Sequence, residues 1–184
     1  MRNPPSTTEA DAEPTLQRWR ARESELAARA APQGLARPDQ AAGKTGLQFI
    51  EAMLAGEVPP PPITTTLRFR LVEANHGHAV FQGTPAFEHY NPLGSVHGGW
   101  MATLLDSCVG CAVHTLLPQG KAYTTLELKV NFVKGLTDRV PLVRAIGDVI
   151  HSGSRVATAE GRLVGADGTL YAHATTTCLI FDPR

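Results

Sequence analysis

The chain predicts an α+β fold in which one antiparallel sheet of five to six strands wraps a single long apolar helix. Three observations carry this. The run Trp100 to Leu117 is largely apolar and contains one carboxylate, Asp106, so it reads as a helix buried nearly all round. Two strand-patterned segments precede it and four follow, joined by short turns rich in Gly, Asn and Asp. The GxGxxG and P-loop patterns of parallel nucleotide-binding folds are missing from the sequence. Helix and sheet then bury each other's apolar faces.

Residues 1–44 are rich in Ala, Arg, Glu and Pro, a composition that predicts a mostly disordered extension. Within it, Thr15 to Ala31 has the propensity for a short exposed helix, although Leu16, Trp19 and Leu26 are sparse for an amphipathic face. The folded domain is expected over residues 45–184. Thr45-Gly46-Leu47-Gln48 fits a capping box, Leu47, Ile50, Met53 and Leu54 share a helical face, and Gly56 is placed to end that helix. Pro59 to Pro62 predict a stiff extended spacer.

Beyond the spacer the period changes to two. Ile63, Thr65, Leu67, Phe69 and Leu71 alternate with Thr66, Arg68 and Arg70, which predicts a strand; Asn75-His76-Gly77 turns it into a second, His78 to Gly83. The central helix spans Gly99 to Leu117 and stops at Pro118-Gln119-Gly120. Thr125 to Val133 is the cleanest strand, with Leu126, Leu128, Val130 and Phe132 on one face and Glu127, Lys129 and Asn131 on the other. Val140 to Ile150, Arg155 to Val164 and Leu170 to Phe181 complete the sheet, separated by His151-Ser152-Gly153 and Ala166-Asp167-Gly168.

Composition narrows the function. The apolar share, 42%, supports a full core, and Lys+Arg and Asp+Glu balance at 17 each. Nothing in that balance argues for nucleic acid or an anionic membrane surface as partner. No stretch approaches the ~20 apolar residues of a membrane span. Three cysteines with no apolar leader before them predict a reduced, cytoplasmic protein. Cys108-Val109-Gly110-Cys111 has C-x-x-C spacing, but it lies mid-helix in an apolar run, so it reads as buried small hydrophobes rather than as a redox or metal site.

The chemistry concentrates between residues 91 and 134. In Asn91-Pro92-Leu93-Gly94-Ser95-Val96-His97-Gly98-Gly99, glycines lead into the helix and free backbone N–H groups at its positive end. Asp106, two turns on, is a carboxylate in apolar surroundings. Donors that polarise a carbonyl, plus a carboxylate that attacks it or activates water, suit acyl transfer.

Asn91-x-x-Gly94-x-x-His97-Gly98-Gly99, Asp106, and Thr125-x-Glu127-Leu128-Lys129-Val130-Asn131-Phe132 together resemble the hotdog-fold acyl-CoA thioesterases, the PaaI-type phenylacetate-pathway group in particular. Gly56 to Pro62 and Asp167-Gly168-x-Leu170-x-Ala172 agree, so the resemblance covers residues 45–181. It implies that the Gly98 N–H polarises the thioester carbonyl and that Asn91 orients that carbonyl or the water. It also implies that Asp106 is general base or nucleophile and that Thr125 positions the water or the carboxylate. His97 is the remaining catalytic candidate, set against a structural role in fixing the loop. Thr124, although it points to the strand's other face, joins Gly99 and Lys134 as substrate-binding candidates. Members often carry an Arg-Pro pair after the strand aromatic. This chain has Val133-Lys134-Gly135, where Lys134 offers a cation to coenzyme A phosphates.

Gly98 and Asp106 stand eight residues apart, or about 12 Å along one helix, while both must come within about 3 Å of one carbonyl. The expectation is therefore a site composed across a twofold homodimer; pairing of two such dimers into a homotetramer is a further expectation that the spacing does not itself imply. The substrate expected is an acyl- or aryl-CoA, with no metal and no bound cofactor. Two rivals stand beside this: a hotdog hydratase or dehydratase, and a non-catalytic acyl-CoA-binding protein. Trp100, Met101, Phe87 and Tyr90 are candidates either for an acyl pocket or for the core.

Overall fold

The computed structural model describes residues 9–183. Its element order is α1 (Glu9–Arg29), α2 (Pro38–Ala41), α3 (Gly46–Ala55), α4 (Pro62–Thr66), β1 (Phe69–Asn75), β2 (His78–Gly83), a 3-10 turn (Phe87–His89), α5 (Gly98–His114), and then β3 (Ala122–Phe132), β4 (Val143–Ser152), β5 (Val156–Gly165) and β6 (Leu170–Phe181). The six strands form one antiparallel sheet in the order β1-β2-β4-β5-β6-β3. Strands β1 and β3 are its free edges.

Helix α5 lies in the curve of this sheet. Leu104, Leu105, Cys108, Val109 and Val113 are fully buried against Phe69, Phe81, Ala145, Ala159, Leu163 and Ala174. The approach is close because glycines face each other in the sheet. Gly147 pairs with Gly161 across β4 and β5, and a Cβ on Gly147 would sit 2.5 Å from the Cys108 carbonyl oxygen. Any side chain there would push the helix off the sheet.

Most element boundaries follow the sequence pattern. Thr45 caps α3 by accepting from the Gln48 N–H, Gln48 reciprocates, and Gly56 closes the helix at φ 80°. One strand starts later than its alternation predicts. Pro62–Thr66 is a short helix, not the beginning of β1. Pro62 is preset for a first helical turn, and the Thr64 hydroxyl donates to the Pro61 carbonyl. Pro62 therefore starts that helix, and the extended spacer is confined to Pro59–Pro61. In β3 a bulge between Thr125 and Glu127 breaks the expected facing. Leu126 turns out to solvent while Leu128 and Val130 stay on the core side.

The N-terminal segment departs further from expectation. Residues 9–29 form the longest helix among the described residues, and α1 packs on the outer face of β1, β2 and β4. Leu16 and Trp19 meet Leu142, while Leu26 meets Val72 and Val80. The apolar stripe looks sparse in the sequence because polar residues complete it. The Gln82 amide donates to Glu23 at 2.9 Å, Arg22 donates to the Val72 carbonyl, and the Arg144 guanidinium stacks 4.6 Å over the Trp19 ring. Residues 9–41 thus carry helices α1 and α2 where a mostly disordered extension was expected. Residues 1–8 lie outside the described ones.

Candidate active site

The loop before α5 is a set of locally closed hydrogen bonds. Asn91 Oδ1 accepts from the Leu93 N–H at 2.8 Å and from the Ser95 N–H, and Asn91 Nδ2 donates to Ser95 Oγ. The side chain thus spends its polar groups on shaping the turn. His97 is the N-cap of α5, and its Nδ1 accepts from the Gly99 N–H at 2.8 Å. Gly99 therefore has its donor committed. The Gly98 N–H has no acceptor among the described residues and remains available at the positive end of a 17-residue helix.

Gly98 also meets the structural demand that glycines often meet. A Cβ there would lie 2.9 Å from Cζ of Phe132, so the ring can sit over the helix start only if position 98 is glycine. Phe132 ends β3, and Lys134 follows two residues later with its ammonium 6.0 Å from the Tyr171 ring centroid. Asn91, His97, Gly98, Gly99 and Lys134 thus gather around the N-terminal end of α5.

Two turns down the helix lies a second group. The Thr125 hydroxyl donates to Asp106 Oδ1 at 3.1 Å, tying α5 to β3 just before the bulge. The Asp106 side chain is exposed rather than buried in this single chain. The helix is apolar on three sides only, and its open face carries Thr103, Asp106 and Ser107. Thr124 is separated from the pair, because consecutive residues in a strand point to opposite faces; it is exposed.

Asp106, Ser107 and Thr125 line a cavity of about 540 Å³. Cys111 and Tyr123 line it too. Burial pushes the Cys111 thiol up to about 12, with the negative charge of Asp106 adding to the effect. Burial likewise holds the Tyr123 phenol well above its ordinary range. Both stay neutral beside the carboxylate, so neither competes as a base or anionic nucleophile. Cys108 is buried, and its Sγ donates to the Leu105 carbonyl. Among the described residues, no group of three or more His, Cys, Asp or Glu is arranged to hold a metal ion.

The cavity walls are not the aromatic candidates. Trp100 and Met101 are core residues, Trp100 donating its indole N–H to the Leu67 carbonyl. Phe87 is 76% exposed and packs on Tyr90. The walls instead come from α1, α3, α4 and β1, brought together by tertiary packing that no local pattern marks. Nor does the sequence single out His89. Its Nδ1 accepts from the Ala86 N–H, its ring stacks on Trp100, and its buried Nε2 has no partner among the described residues.

Comparison with known proteins places this geometry. Residues 93–172, which include the helix start, Asp106 and Thr125, match the model of the thioesterase superfamily. No curated protein matches the chain. Among solved structures, a phenylacetic acid degradation-related protein from Ralstonia eutropha is 29% identical, with a TM-score of 0.65 over 71% of this chain and 98% of that one. A single-residue mutant of the phenylacetic acid degradation protein PaaI from Thermus thermophilus is 25% identical, with a TM-score of 0.58 over 64% and 97%. A thioesterase family protein from Silicibacter pomeroyi, 24% identical with a TM-score of 0.62 over 66% and 90%, shares the fold. The chain thus matches the thioesterase superfamily over residues 93–172 and shares the fold of these thioesterase-family structures.

Proposed function

We propose that the protein hydrolyses an acyl- or aryl-CoA thioester to the free acid and coenzyme A. The observation that carries this reading is the Asp106–Thr125 pair, an exposed carboxylate fixed by a hydroxyl on the lining of a cavity large enough for an acyl group. A thiolate leaves readily, so the reaction needs little beyond a nucleophile and oxyanion stabilisation. Asp106 takes the proton from a water that attacks the carbonyl carbon, or attacks that carbon itself to form an acyl–Asp106 anhydride that a water hydrolyses after the thiolate has left. Negative charge develops on the carbonyl oxygen, and the free Gly98 N–H with the α5 dipole behind it receives that charge. Collapse breaks the C–S bond and releases the coenzyme A thiolate.

The two groups lie about 12 Å apart along α5, so each site takes its donor from one protomer and its carboxylate from the partner. Edge strand β3 supports such a contact. Its outer edge is unpaired, and Leu126, Phe132 and Val133 on or beside it are more than half exposed, as expected of a strand that another chain covers. Two such dimers forming a tetramer is the assembly proposed.

Asp106→Asn is the direct test. The side chain is exposed and its only hydrogen bond among the described residues is to Thr125, so the variant should fold normally. Thiol release from acyl-CoA esters should fall by at least about a thousandfold, the scale of losing a principal catalytic group. Turnover within about tenfold of wild type would remove Asp106 from the chemistry.

A further inference from the structure

We infer that the cavity lined by Asp106 and Thr125 is an acyl pocket to which helix α1 contributes a wall. In this arrangement, residues upstream of the family-matched segment select a medium- to long-chain acyl group. The inference rests on the thioester-hydrolase reading for its substrate, but its geometry is independent of the chemistry. Besides Asp106 and Thr125, the cavity's lining includes Phe69 and Leu71 of β1, Leu26 of α1, Met53 and Leu54 of α3, and Ile63 of α4. These six side chains are apolar, flexible or aromatic, and suit an alkyl chain better than a polar group.

The lining also carries charge. Glu23 of α1 lines the cavity with Arg70 of β1, and the two form an ion pair at 3.7 Å. Glu23 also accepts from the Gln82 amide at 2.9 Å, and Arg70 reaches the Glu23 carbonyl. An alkyl end pressed against this cluster would strip water from paired charges without replacing it, which is costly. The cluster therefore acts as a stop. Arg68, also on the lining, is held outward by Glu88 at 3.0 Å.

Size points the same way. A cavity of about 540 Å³ lies within the range of roughly 300–1,000 Å³ that holds whole small ligands. An acetyl or propionyl group would leave most of it unfilled. Each methylene drawn out of water there strengthens binding by roughly fourfold.

Non-hydrolysable S-alkyl-CoA thioethers separate this pocket from the reaction. Calorimetric titration of the full-length protein should find the dodecyl thioether bound at least about a hundredfold more tightly than the butyl one. Leu26→Trp and Ile63→Trp should each cut that ratio at least about tenfold by filling the cavity from two of its lining elements, α1 and α4. Ile63 is half exposed, so its variant tests the idea even if the buried Leu26 site does not tolerate tryptophan. Glu23→Ala should move the preference toward hexadecyl by removing the stop. Equal affinity for butyl and dodecyl in the wild-type protein, or an unchanged ratio in Ile63→Trp, overturns the acyl pocket. Length-dependent affinity without thiol release from any acyl-CoA upholds the pocket and counts against hydrolysis.

Discussion

At the scale of single residues, hydrogen bonds sort the candidates more sharply than residue type does. In the sequence, His97, Gly98 and Gly99 are equivalent members of one motif. The N-cap bond from the Gly99 N–H to His97 Nδ1 leaves Gly98 with the unspent donor. The Thr125–Asp106 bond was implied by resemblance alone, because the two lie 19 positions apart and no spacing rule links them. His114 stands outside both groups. It packs between the Phe49 and Tyr123 rings, at 5.6 and 5.4 Å, and burial lowers its pKa. His89 is lowered for the same reason. A histidine kept neutral by folding binds its proton in the unfolded chain first, so stability is full above the unfolded value of about 6.5 and declines as pH falls below it. Urea titrations between about pH 7.5 and 5 should show that decline. In His114→Phe the slope should be shallower by up to about 1.4 kcal/mol per pH unit, with His89 accounting for the remainder. An unchanged slope would mean that His114 is already solvated in the native state.

At the scale of elements, the legible parts were those whose stabilisation is local. The capping box of α3, the β1–β2 turn and strand β6 fall where the sequence puts them, because caps, turn residues and alternation act within a few positions. Strand β1 and helix α1 differ from expectation for the opposite reason. Proline and threonine chemistry overrides an alternating pattern at Pro62–Thr66, and α1 gains its order from a partly polar sheet face far along the chain. Trp19 anchors that helix beneath Arg144, whose own pKa burial lowers to about 10. Trp19→Ala should destabilise the protein by about 3 kcal/mol, or roughly 6–12 °C in Tm for a domain of this size. A calorimetric scan with a loss below about 2 °C would make α1 an independent appendage.

At the scale of the whole molecule, the proposed site is divided between two copies. Within one protomer the free N–H and the carboxylate are too far apart to act on one carbonyl, and the proposed mechanism therefore needs a second copy. Mixing a Gly98→Pro variant, which lacks the donor, with Asp106→Asn should restore activity. Hybrid dimers would contain one intact site, and about a quarter of the wild-type rate per mixed preparation is expected when subunits exchange randomly. Mass spectrometry that finds hybrid dimers without recovered turnover would place both groups in one protomer's site.

The cavity's walls have a consequence for how such a protein can change. The groups assigned to bond breaking lie between residues 98 and 125, whereas most of the cavity's other walls come from residues 23–84. Selectivity and reactivity are thus written in different stretches of one chain. A few substitutions in the upstream stretch, at positions that bear no part of the reaction, would suffice to redirect the enzyme to a new acyl length. Adaptation to a different metabolite need not pass through an inactive intermediate.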